Sequence, residues 1–192
     1  IRSIASGFQS IKAGDSKVVI AGGQENMSLS PHAIHLRDGK KMGDAKLIDT
    51  MIKDGLWDAF NDYHMGVTAE NVAEKFQVTR EEQDKFALKS QEKALKAQKE
   101  NKFTDEIINF KINSKNAEID FNKDEHPREG VNLETLSRLK PIFKSDGTVT
   151  AGNASGINDG AAAVTLISEK ELEKRSIKKL VSIKSWASCG VD

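Results

Sequence analysis

The chain has 192 residues, with 29 lysines and arginines balanced by 29 aspartates and glutamates, and a single cysteine, Cys189. The balanced charge gives no electrostatic reason to bind nucleic acid or an anionic membrane, and one thiol excludes an internal disulfide and a cysteine-rich metal site. No apolar run approaches the roughly 18–20 residues of a membrane span, and we expect no signal peptide. We therefore expect no nucleic acid, membrane or metal ion among the ligands.

The chain opens within a helical pattern. Apolar residues recur at helical spacing from Ile1 to Ile11 with no capping residue before them, and Gly14 ends the helix. We therefore expect the chain to be a segment of a longer protein. Residues 17–23 form a short β-branched run without alternation, which predicts a strand buried on both faces, as in α/β proteins.

From about residue 27 to residue 157 the sequence becomes polar and irregular. The longest helical pattern in this stretch begins with a capping box formed by Thr79 and Glu82, and Thr68 is predicted to cap the helix before it. Helices are predicted at residues 44–54, 68–76 and 79–101. The buried face of the longest helix is predicted to be Phe86, Ser90, Ala94 and Ala97.

The rest of the chain predicts a return to α/β structure. The predicted elements are extended pieces at 106–112 and 118–121, a helix and turn at 133–143, a buried strand at 161–167, a helix capped by Ser168 at 168–175, and a strand at 180–186. This order indicates an α/β protein with a helical, charged insertion between two of its strands.

The string TVTAGNASGINDGAAA at residues 148–163 is the most distinctive part of the chain. Glycine accepts unusual backbone angles and lets another group approach the main chain. Ala, Ser and Asn add little bulk and a few hydrogen-bonding groups. Composition alone favours a tight loop with a small-residue packing face, and a loop that lies against a ligand is the alternative.

Three strings, taken together, resemble the thiolase family, in particular its biosynthetic acetyl-CoA acetyltransferase type. They are IAGGQENMS at residues 20–28, YHMGVTAENVA at residues 63–73, and the small-residue string at residues 148–163. They occur in the family's order, and the resemblance covers essentially the whole chain. Three long strings in order are a specific signal, whereas one glycine-rich loop would be a weak one.

The resemblance implies the thiolase fold, in which two similar α/β halves each surround a mixed five-stranded sheet and an α-rich loop domain is inserted into the first half. This chain would be a partial copy of that fold. Residues 1–26 and 158–178 would belong to the N-terminal half, residues 27–157 to the inserted CoA-binding loop domain, and residues 179–192 to the start of the C-terminal half.

The resemblance also implies the condensation of two acetyl-CoA molecules to acetoacetyl-CoA and CoA, and the reverse thiolysis. In the family a cysteine activated by a histidine carries the acyl group as a thioester, a second cysteine acts as acid and base, and oxyanion holes stabilise the developing charge. The nucleophile would lie just before Ile1 and the other groups after Asp192, so no catalytic residue is predicted within the chain. Coenzyme A is substrate and product, and no further cofactor is implied.

The family's CoA and acyl pocket maps onto eight positions of this sequence. His64 is typical of the short-chain enzymes, Met65 would close the acyl pocket, and Ser155 would hydrogen-bond the pantetheine arm. Arg128 would lie near the adenine and phosphate end, where a guanidinium pairs with phosphate oxygens, and Thr135 would lie close to the adenine. The predicted set is completed by Leu56, Ala151 and Ile157, which would pack along CoA.

Each of these residues also has an ordinary structural explanation when it is taken singly, such as a surface salt bridge for Arg128 or a backbone cap for Ser155. The basic loop at residues 35–41 would lie near a tetramer interface and the CoA entrance, where positive charge attracts an anionic substrate; by itself it is a solvated turn. Cys189 would be buried in the first strand region of the C-terminal half, so we expect it to be inert.

The resemblance therefore implies a cytoplasmic homotetramer that binds acetyl-CoA, acetoacetyl-CoA and CoA. Two alternatives stay open. The protein could be a degradative 3-ketoacyl-CoA thiolase, which a comparison of rates on short and long substrates would reveal. This segment could also exist alone as a non-catalytic CoA-binding fragment, with unpaired strand edges and exposed apolar surface.

Overall fold

The computed structural model describes residues 1–114 and 117–190. Its helices are α1 (Arg2–Ala13), α2 (Met65–Lys75), α3 (Arg80–Lys99), α4 (Leu133–Ser137) and α5 (Glu169–Lys174), with a π-helix at Met51–Leu56. Its strands are β1 (Val18–Asn26), β2 (His32–Ala33), β3 (Ile48–Asp49), β4 (Trp57–Asp58), β5 (Tyr63–His64), β6 (Phe110–Ser114), β7 (Ala117–Phe121) and β8 (Asp159–Ile167). None of the helices in these ranges is long and apolar enough to cross a lipid bilayer.

The chain folds into two compact units. The sheet unit comprises Ile1–Leu29 and Asn158–Asp192, and the inserted unit comprises Ser30–Ile157. The chain leaves the sheet unit shortly after β1 and returns to it at β8. The predicted domain borders at residues 26, 157 and 178 stay predictions, and residues 191–192 of the last predicted segment lie outside the described residues.

In the sheet unit, α1 packs against a two-stranded antiparallel sheet made of β1 and β8. The pairing runs along the 9 residues of each strand without a bulge. Gly7 marks the close approach of the helix to the sheet, because a Cβ there would lie 2.8 Å from the Cδ1 atom of Leu166. Gly14 ends α1 in the left-handed conformation with φ at 86°, as predicted.

The prediction that β1 is buried on both faces is wrong. Ala21 is the buried residue of the strand, whereas its neighbour Ile20 is 77% exposed. The reason is that α1 covers the face that carries Ala21, and within the described residues nothing covers the opposite face. The structure also assigns no strand to residues 180–186, because an extended segment becomes a strand only when a neighbour takes up its backbone hydrogen bonds.

The inserted unit is built on α2, α3, α4 and an isolated bridge between Pro141 and Thr150. Three antiparallel strand pairs, β2 with β3, β4 with β5 and β6 with β7, complete its described part. Its interior combines apolar with polar side chains, the buried ones being Ala73, Leu136, Val149, Glu70, Asp84 and Thr150. Because buried polar groups require partners, hydrogen bonds hold much of this interior.

The helix α3 begins as predicted with a capping box. The Glu82 amide donates to the Thr79 hydroxyl at 3.3 Å, and the Thr79 amide donates to the Glu82 carboxylate at 2.8 Å. The predicted buried face is wrong, because Phe86 is 78% exposed and Ser90 is exposed as well. The buried residue of α3 is Asp84, at 3% exposure, and apolar periodicity cannot locate a face whose buried residue is an acid.

Other predicted elements are confirmed or shifted. The helix predicted at 44–54 is β3 followed by the π-helix, and α2 begins at Met65 with His64 as its N-cap, so Thr68 is not its start. The extended pieces predicted between residues 106 and 121 are present as β6 paired with β7. The strand predicted at 161–167 is contained in β8, but its predicted burial is wrong, because the residues of β8 are exposed as far as Thr165. Ser168 caps α5 as predicted.

Glu70 of α2 is a buried carboxylate, 5% exposed. It accepts hydrogen bonds from the Thr148 amide at 2.9 Å, from the Thr148 hydroxyl at 2.9 Å and from the Val149 amide at 2.8 Å. Burial alone raises the pKa of this carboxyl, but these hydrogen bonds and the positive charge of Lys144 outweigh burial, so its pKa lies below the ordinary value. Glu70 is therefore ionised at neutral pH and ties α2 to residues 148–149.

Replacing Glu70 by glutamine should lower the free energy of unfolding by about 2 kcal/mol at neutral pH, because a carboxamide leaves at least one of these donors unpaired. The native pKa is depressed, so the stabilisation is present above the ordinary pKa of 4.5 and is lost as the pH falls through the lower native pKa. The difference in unfolding free energy between wild type and Glu70→Gln, measured in urea, should therefore shrink below pH 4.5.

The matched control is Glu74→Gln, which changes an exposed acid one turn further along α2 and should alter the unfolding free energy little at any pH. A difference between wild type and Glu70→Gln that stayed constant down to about pH 3 would contradict the role given to the ionised carboxylate.

Candidate functional site

The small-residue loop, defined as residues 148–157, contains the bridge to Pro141 at Thr150 and turns at residues 151–153. Its Gly152 lies against the end of α4, since a Cβ there would come within 2.6 Å of both the Leu136 and the Leu139 side chain. The group that approaches the backbone at this glycine is therefore the protein's own helix. Ala151 and Ser155, on either side of it, are exposed.

Side-chain hydrogen bonds fix the shape of the small-residue loop. Glu70 binds the amides of Thr148 and Val149 at its start. Asn153 fixes the turn, because its Oδ1 accepts from the Thr150 amide at 2.8 Å and its Nδ2 donates to the Thr148 carbonyl at 3.0 Å. Small side chains provide little packing of their own, so these polar contacts set the path of the backbone.

Arg80 and Asp84 connect α3 to both α4 and the loop. Arg80 Nε donates to Asp84 Oδ2 at 2.9 Å, and Arg80 Nη2 donates to the carbonyls of Leu136 at 2.6 Å and Leu139 at 3.0 Å. Asp84 Oδ1 accepts from Asn153 Nδ2 at 3.0 Å. The two helices and the small-residue loop are thus joined by one continuous set of hydrogen bonds.

His64 ends β5 and caps α2, with its Nδ1 accepting a hydrogen bond from the Gly66 amide at 2.9 Å. Its ring stacks on Phe143, with 4.7 Å between ring centroids and an angle of 22° between the planes. A Cβ at position 66 would collide with the Phe143 ring, so glycine is required there. Because Nδ1 is an acceptor, the neutral imidazole carries its proton on Nε2, which is left to donate to a ligand.

Leu56 and Met65 lie close to His64 along the chain. Leu56 is half-buried at the end of the π-helix, and the next residue, Trp57, pairs with His64 across the β4–β5 ladder. Met65 is the first residue of α2 and lines an open cavity of about 410 Å³ with Val72 and Val78. Leu56, His64 and Met65 therefore lie near one another along the chain, and their role in a ligand pocket stays a prediction.

Ala151, Ser155 and Ile157 form a second group on the small-residue loop. Ser155 and Ile157 are exposed, and the Ser155 hydroxyl lies 3.5 Å from the neighbouring Gly156 carbonyl, at the outer limit for a hydrogen bond. That hydroxyl is therefore available to an external partner. The two groups are linked by Phe143, which stacks on His64 and follows Pro141, the bridge partner of Thr150 in the loop, by two residues.

Arg128 and Thr135 are held at α3 and α4. The Arg128 side chain is exposed, and its backbone amide donates to Gln91 Oε1 at 3.0 Å. The Thr135 hydroxyl donates to the Asn132 carbonyl at 2.9 Å and accepts from the Asn132 amide at 3.2 Å in the cap of α4. Its only proton is thus already used, so Thr135 can offer a ligand an acceptor and not a donor.

Sequence reasoning missed the residues that support the site, namely Glu70, Asp84, Asn153 and Phe143. An acid among polar neighbours on a helix has the pattern of a solvated face, so the burial of Glu70 and Asp84 left no periodic signal. Asn153 lies in the string at residues 148–163, which was interpreted from the small size of its residues. Phe143 lies in a predicted turn. The contacts of these four residues are visible only in the tertiary structure, which brings distant segments of the chain together.

Three further expectations concern single features. The basic loop at residues 35–41 is exposed. Cys189 was expected to be buried in a strand, but the structure shows an exposed thiol outside any strand, because residues 180–186 before it have no strand neighbour in the described chain. Within the described ranges no group of three or more His, Cys, Asp or Glu side chains could hold a metal ion.

The family model for the thiolase N-terminal domain matches residues 1–170. The acetyl-CoA acetyltransferase of Rhizobium meliloti is 56% identical over 192 residues, and the cytosolic acetyl-CoA acetyltransferase of Rattus norvegicus is 51% identical over 194 residues. Each alignment covers 100% of this chain and 49% of the relative. The chain thus spans about half the length of the curated relatives it matches.

Solved structures agree with this result. The acetyl-CoA acetyltransferase of Bacillus anthracis gives a TM-score of 0.87 at 42% identity, and the human mitochondrial 3-ketoacyl-CoA thiolase gives 0.86 at 41% identity. Both comparisons cover 92% of this chain and 45% of the other chain. The predicted fold class, a partial copy of the α/β thiolase fold, is confirmed, and the chain belongs to the thiolase family.

Proposed function

We propose that the full-length protein is an acetyl-CoA acetyltransferase, which condenses two acetyl-CoA molecules to acetoacetyl-CoA and CoA and catalyses the reverse thiolysis. The observation that carries the proposal is the identity of 56%, 54% and 51%, over the whole chain, to relatives of that name from two bacteria and the rat. The order of the three sequence strings supports the same assignment, since they fall at β1, at the start of α2 and at the small-residue loop.

In the proposed reaction a cysteine thiolate attacks the thioester carbonyl of acetyl-CoA, and CoA leaves as its thiol after taking up a proton. A second acetyl-CoA loses a proton from its methyl carbon to the catalytic base, and the carbanion attacks the carbonyl of the acetyl-cysteine. The new carbon–carbon bond forms as the carbon–sulfur bond to the cysteine breaks, which releases acetoacetyl-CoA and the cysteine thiolate. The proposed nucleophile lies just before Ile1, and the acid and base lie after Asp192. The residues of this chain would bind and orient the substrates, and residues outside it would carry out the covalent step.

The geometry of the site suits the long, largely neutral pantetheine arm of CoA. His64 Nε2 and the Ser155 hydroxyl are donors available to a ligand, and Leu56, Ala151 and Ile157 would add apolar contact. A few placed donors on an otherwise apolar surface are typical of small-molecule sites. Because the loop is hydrogen-bonded from both α2 and α3, its Ala151 and Ser155 would be presented to the arm with little further ordering.

The phosphate end of CoA would be bound by positive charge outside the pocket. Arg128 is exposed beside α3, and its planar guanidinium can pair with two phosphate oxygens at once. The exposed basic loop at residues 35–41 would attract the anionic substrate toward the entrance. Thr135, whose hydroxyl can only accept, would suit the amino group of the adenine.

A degradative 3-ketoacyl-CoA thiolase is the second candidate, and the likeness to the human mitochondrial 3-ketoacyl-CoA thiolase favours it. The two candidates differ in the length of the acyl chain they accept. The proposal of a short acyl chain rests on His64 and Met65, because Met65 lines the 410 Å³ cavity at the start of α2 and would limit the length of the acyl group.

We also propose a cytosolic homotetramer that needs no cofactor beyond CoA as substrate and product. The word cytosolic in the names of the rat and mouse relatives supports the location. The tetramer rests on the family resemblance, with the basic loop at residues 35–41 near the interface between subunits.

The full-length protein should cleave acetoacetyl-CoA when CoA is added, which is measured by the loss of acetoacetyl-CoA absorbance. The rate on acetoacetyl-CoA should exceed the rate on a 3-ketoacyl-CoA of eight or more carbons, because Met65 would close the acyl pocket. A preference for the long substrate would move the assignment to the degradative enzyme, and no cleavage of either substrate would refute a thiolase activity.

Arg128→Ala should weaken the binding of CoA by about tenfold and that of dephospho-CoA much less, because an arginine–phosphate pair is a strong charge-assisted contact. Calorimetric titration of both ligands measures the two effects. Lys123→Ala removes a positive charge from the same exposed segment and is the matched control. If Arg128→Ala weakened the binding of CoA and of dephospho-CoA equally, or weakened neither, Arg128 would not bind the phosphate that distinguishes the two ligands.

A further inference from the structure

Asp84 is a charged side chain that the fold buries. It is 3% exposed, in the first turns of α3. Replacing a buried ion pair by apolar residues is often neutral or stabilising. The burial of this carboxylate is therefore weak evidence for a role in stability, and its contacts show what else it does.

The two oxygens of Asp84 are divided between different partners. Oδ2 accepts from Arg80 Nε at 2.9 Å on the same helix, and Oδ1 accepts from Asn153 Nδ2 at 3.0 Å, 69 positions further along the chain. Arg80 is in turn committed to the carbonyls of Leu136 and Leu139 at the end of α4. The carboxylate is thus held in place by a guanidinium that is itself held by α4.

Asp84 stabilises one orientation of the Asn153 amide together with two backbone groups. A carboxylate can only accept, so Asp84 favours Nδ2 on its own side and Oδ1 on the opposite side, which is the orientation that the Thr150 amide and the Thr148 carbonyl also require. In that orientation Oδ1 accepts from the Thr150 amide and Nδ2 also donates to the Thr148 carbonyl. The turn at residues 151–153 is therefore stabilised in one form, and that form places Ala151 and Ser155 at the surface.

We propose that Asp84 is a positioning residue for coenzyme A, acting through Asn153 to hold the small-residue loop in the shape that receives the pantetheine arm. This inference rests on the proposed function, because the ligand is the CoA of that reaction. Asp84 does not contact the ligand and takes no part in proton transfer. Its charge serves to align Asn153, and Arg80 keeps that charge fixed relative to α4.

Asp84→Asn in the full-length protein tests the proposal. The variant keeps the size of the side chain but turns one of its two acceptor groups into a donor, which then faces Arg80 Nε–H or the Asn153 amide. The dissociation constant for CoA and the KM for acetoacetyl-CoA should each rise about tenfold, since a charge-assisted hydrogen bond that aligns the loop is lost. The kcat should stay within about twofold, because the reacting groups are untouched.

The matched control is Glu81→Gln on the same helix. Glu81 forms an ion pair with Lys85 four residues further on, and its side chain is 74% exposed. The control therefore removes one carboxylate charge and one ion pair from α3 without reaching the small-residue loop. Its CoA affinity should equal that of wild type.

A second variant, Asn153→Ala, breaks the link to the loop but leaves the Arg80–Asp84 pair in place. It should raise the same two constants, and the double variant Asp84→Asn with Asn153→Ala should be no worse than the more affected single variant, because both residues act through one contact. Effects on CoA affinity that simply add would overturn the proposal. If Asp84→Asn fails to fold, Asn153→Ala alone decides, and wild-type CoA affinity in that variant would overturn it.

The experiments distinguish failure of the proposed function from failure of the role given to Asp84. If wild type neither binds CoA nor cleaves acetoacetyl-CoA, the proposed function fails and the role of Asp84 fails with it. If wild type is active while Asp84→Asn changes only the urea midpoint and matches Glu81→Gln in CoA affinity, the function stands and Asp84 is a structural residue only.

Discussion

A loop made of small residues cannot hold its own shape by packing, and this constraint organises the inserted unit. The backbone amides of Thr148 and Val149 at the start of the small-residue loop donate to Glu70 on α2, and the Asn153 side chain, which fixes the turn, donates to Asp84 on α3. Both acids are buried, and a buried acid requires donors around it. The helices of this unit are therefore arranged around charged contacts to the loop as much as around an apolar core.

The same arrangement explains why the site can be exposed and still well defined. Gly152 lies against Leu136 and Leu139, so the inner side of the turn is packed on α4. On the outer side, Ala151 and Ser155 are exposed and add little bulk. His64 is fixed independently, by the Gly66 amide and by stacking on Phe143. The loop backbone and the His64 ring are thus held by protein contacts before any ligand binds.

The candidate site was predictable from the sequence only where the signal was local. The capping box of α3, the glycine that ends α1, and the extended pieces that became β6 and β7 follow from neighbouring residues, and each is present. The placement of Leu56, His64 and Met65 near one another follows from their short separation in the chain. Predictions that depended on burial failed, as at Phe86, Ile20 and residues 180–186, because burial depends on which surfaces meet.

The sequence by itself determined the family, because three long strings in order carry family-specific information whether or not their contacts are known. It also determined the starts of α3 and α5 and the end of α1, which depend on hydrogen bonds within a few residues. Only the tertiary structure decided the roles of Glu70, Asp84 and Asn153. Their partners lie far away along the chain, and a buried acid differs from a solvated one only in what the fold brings to it.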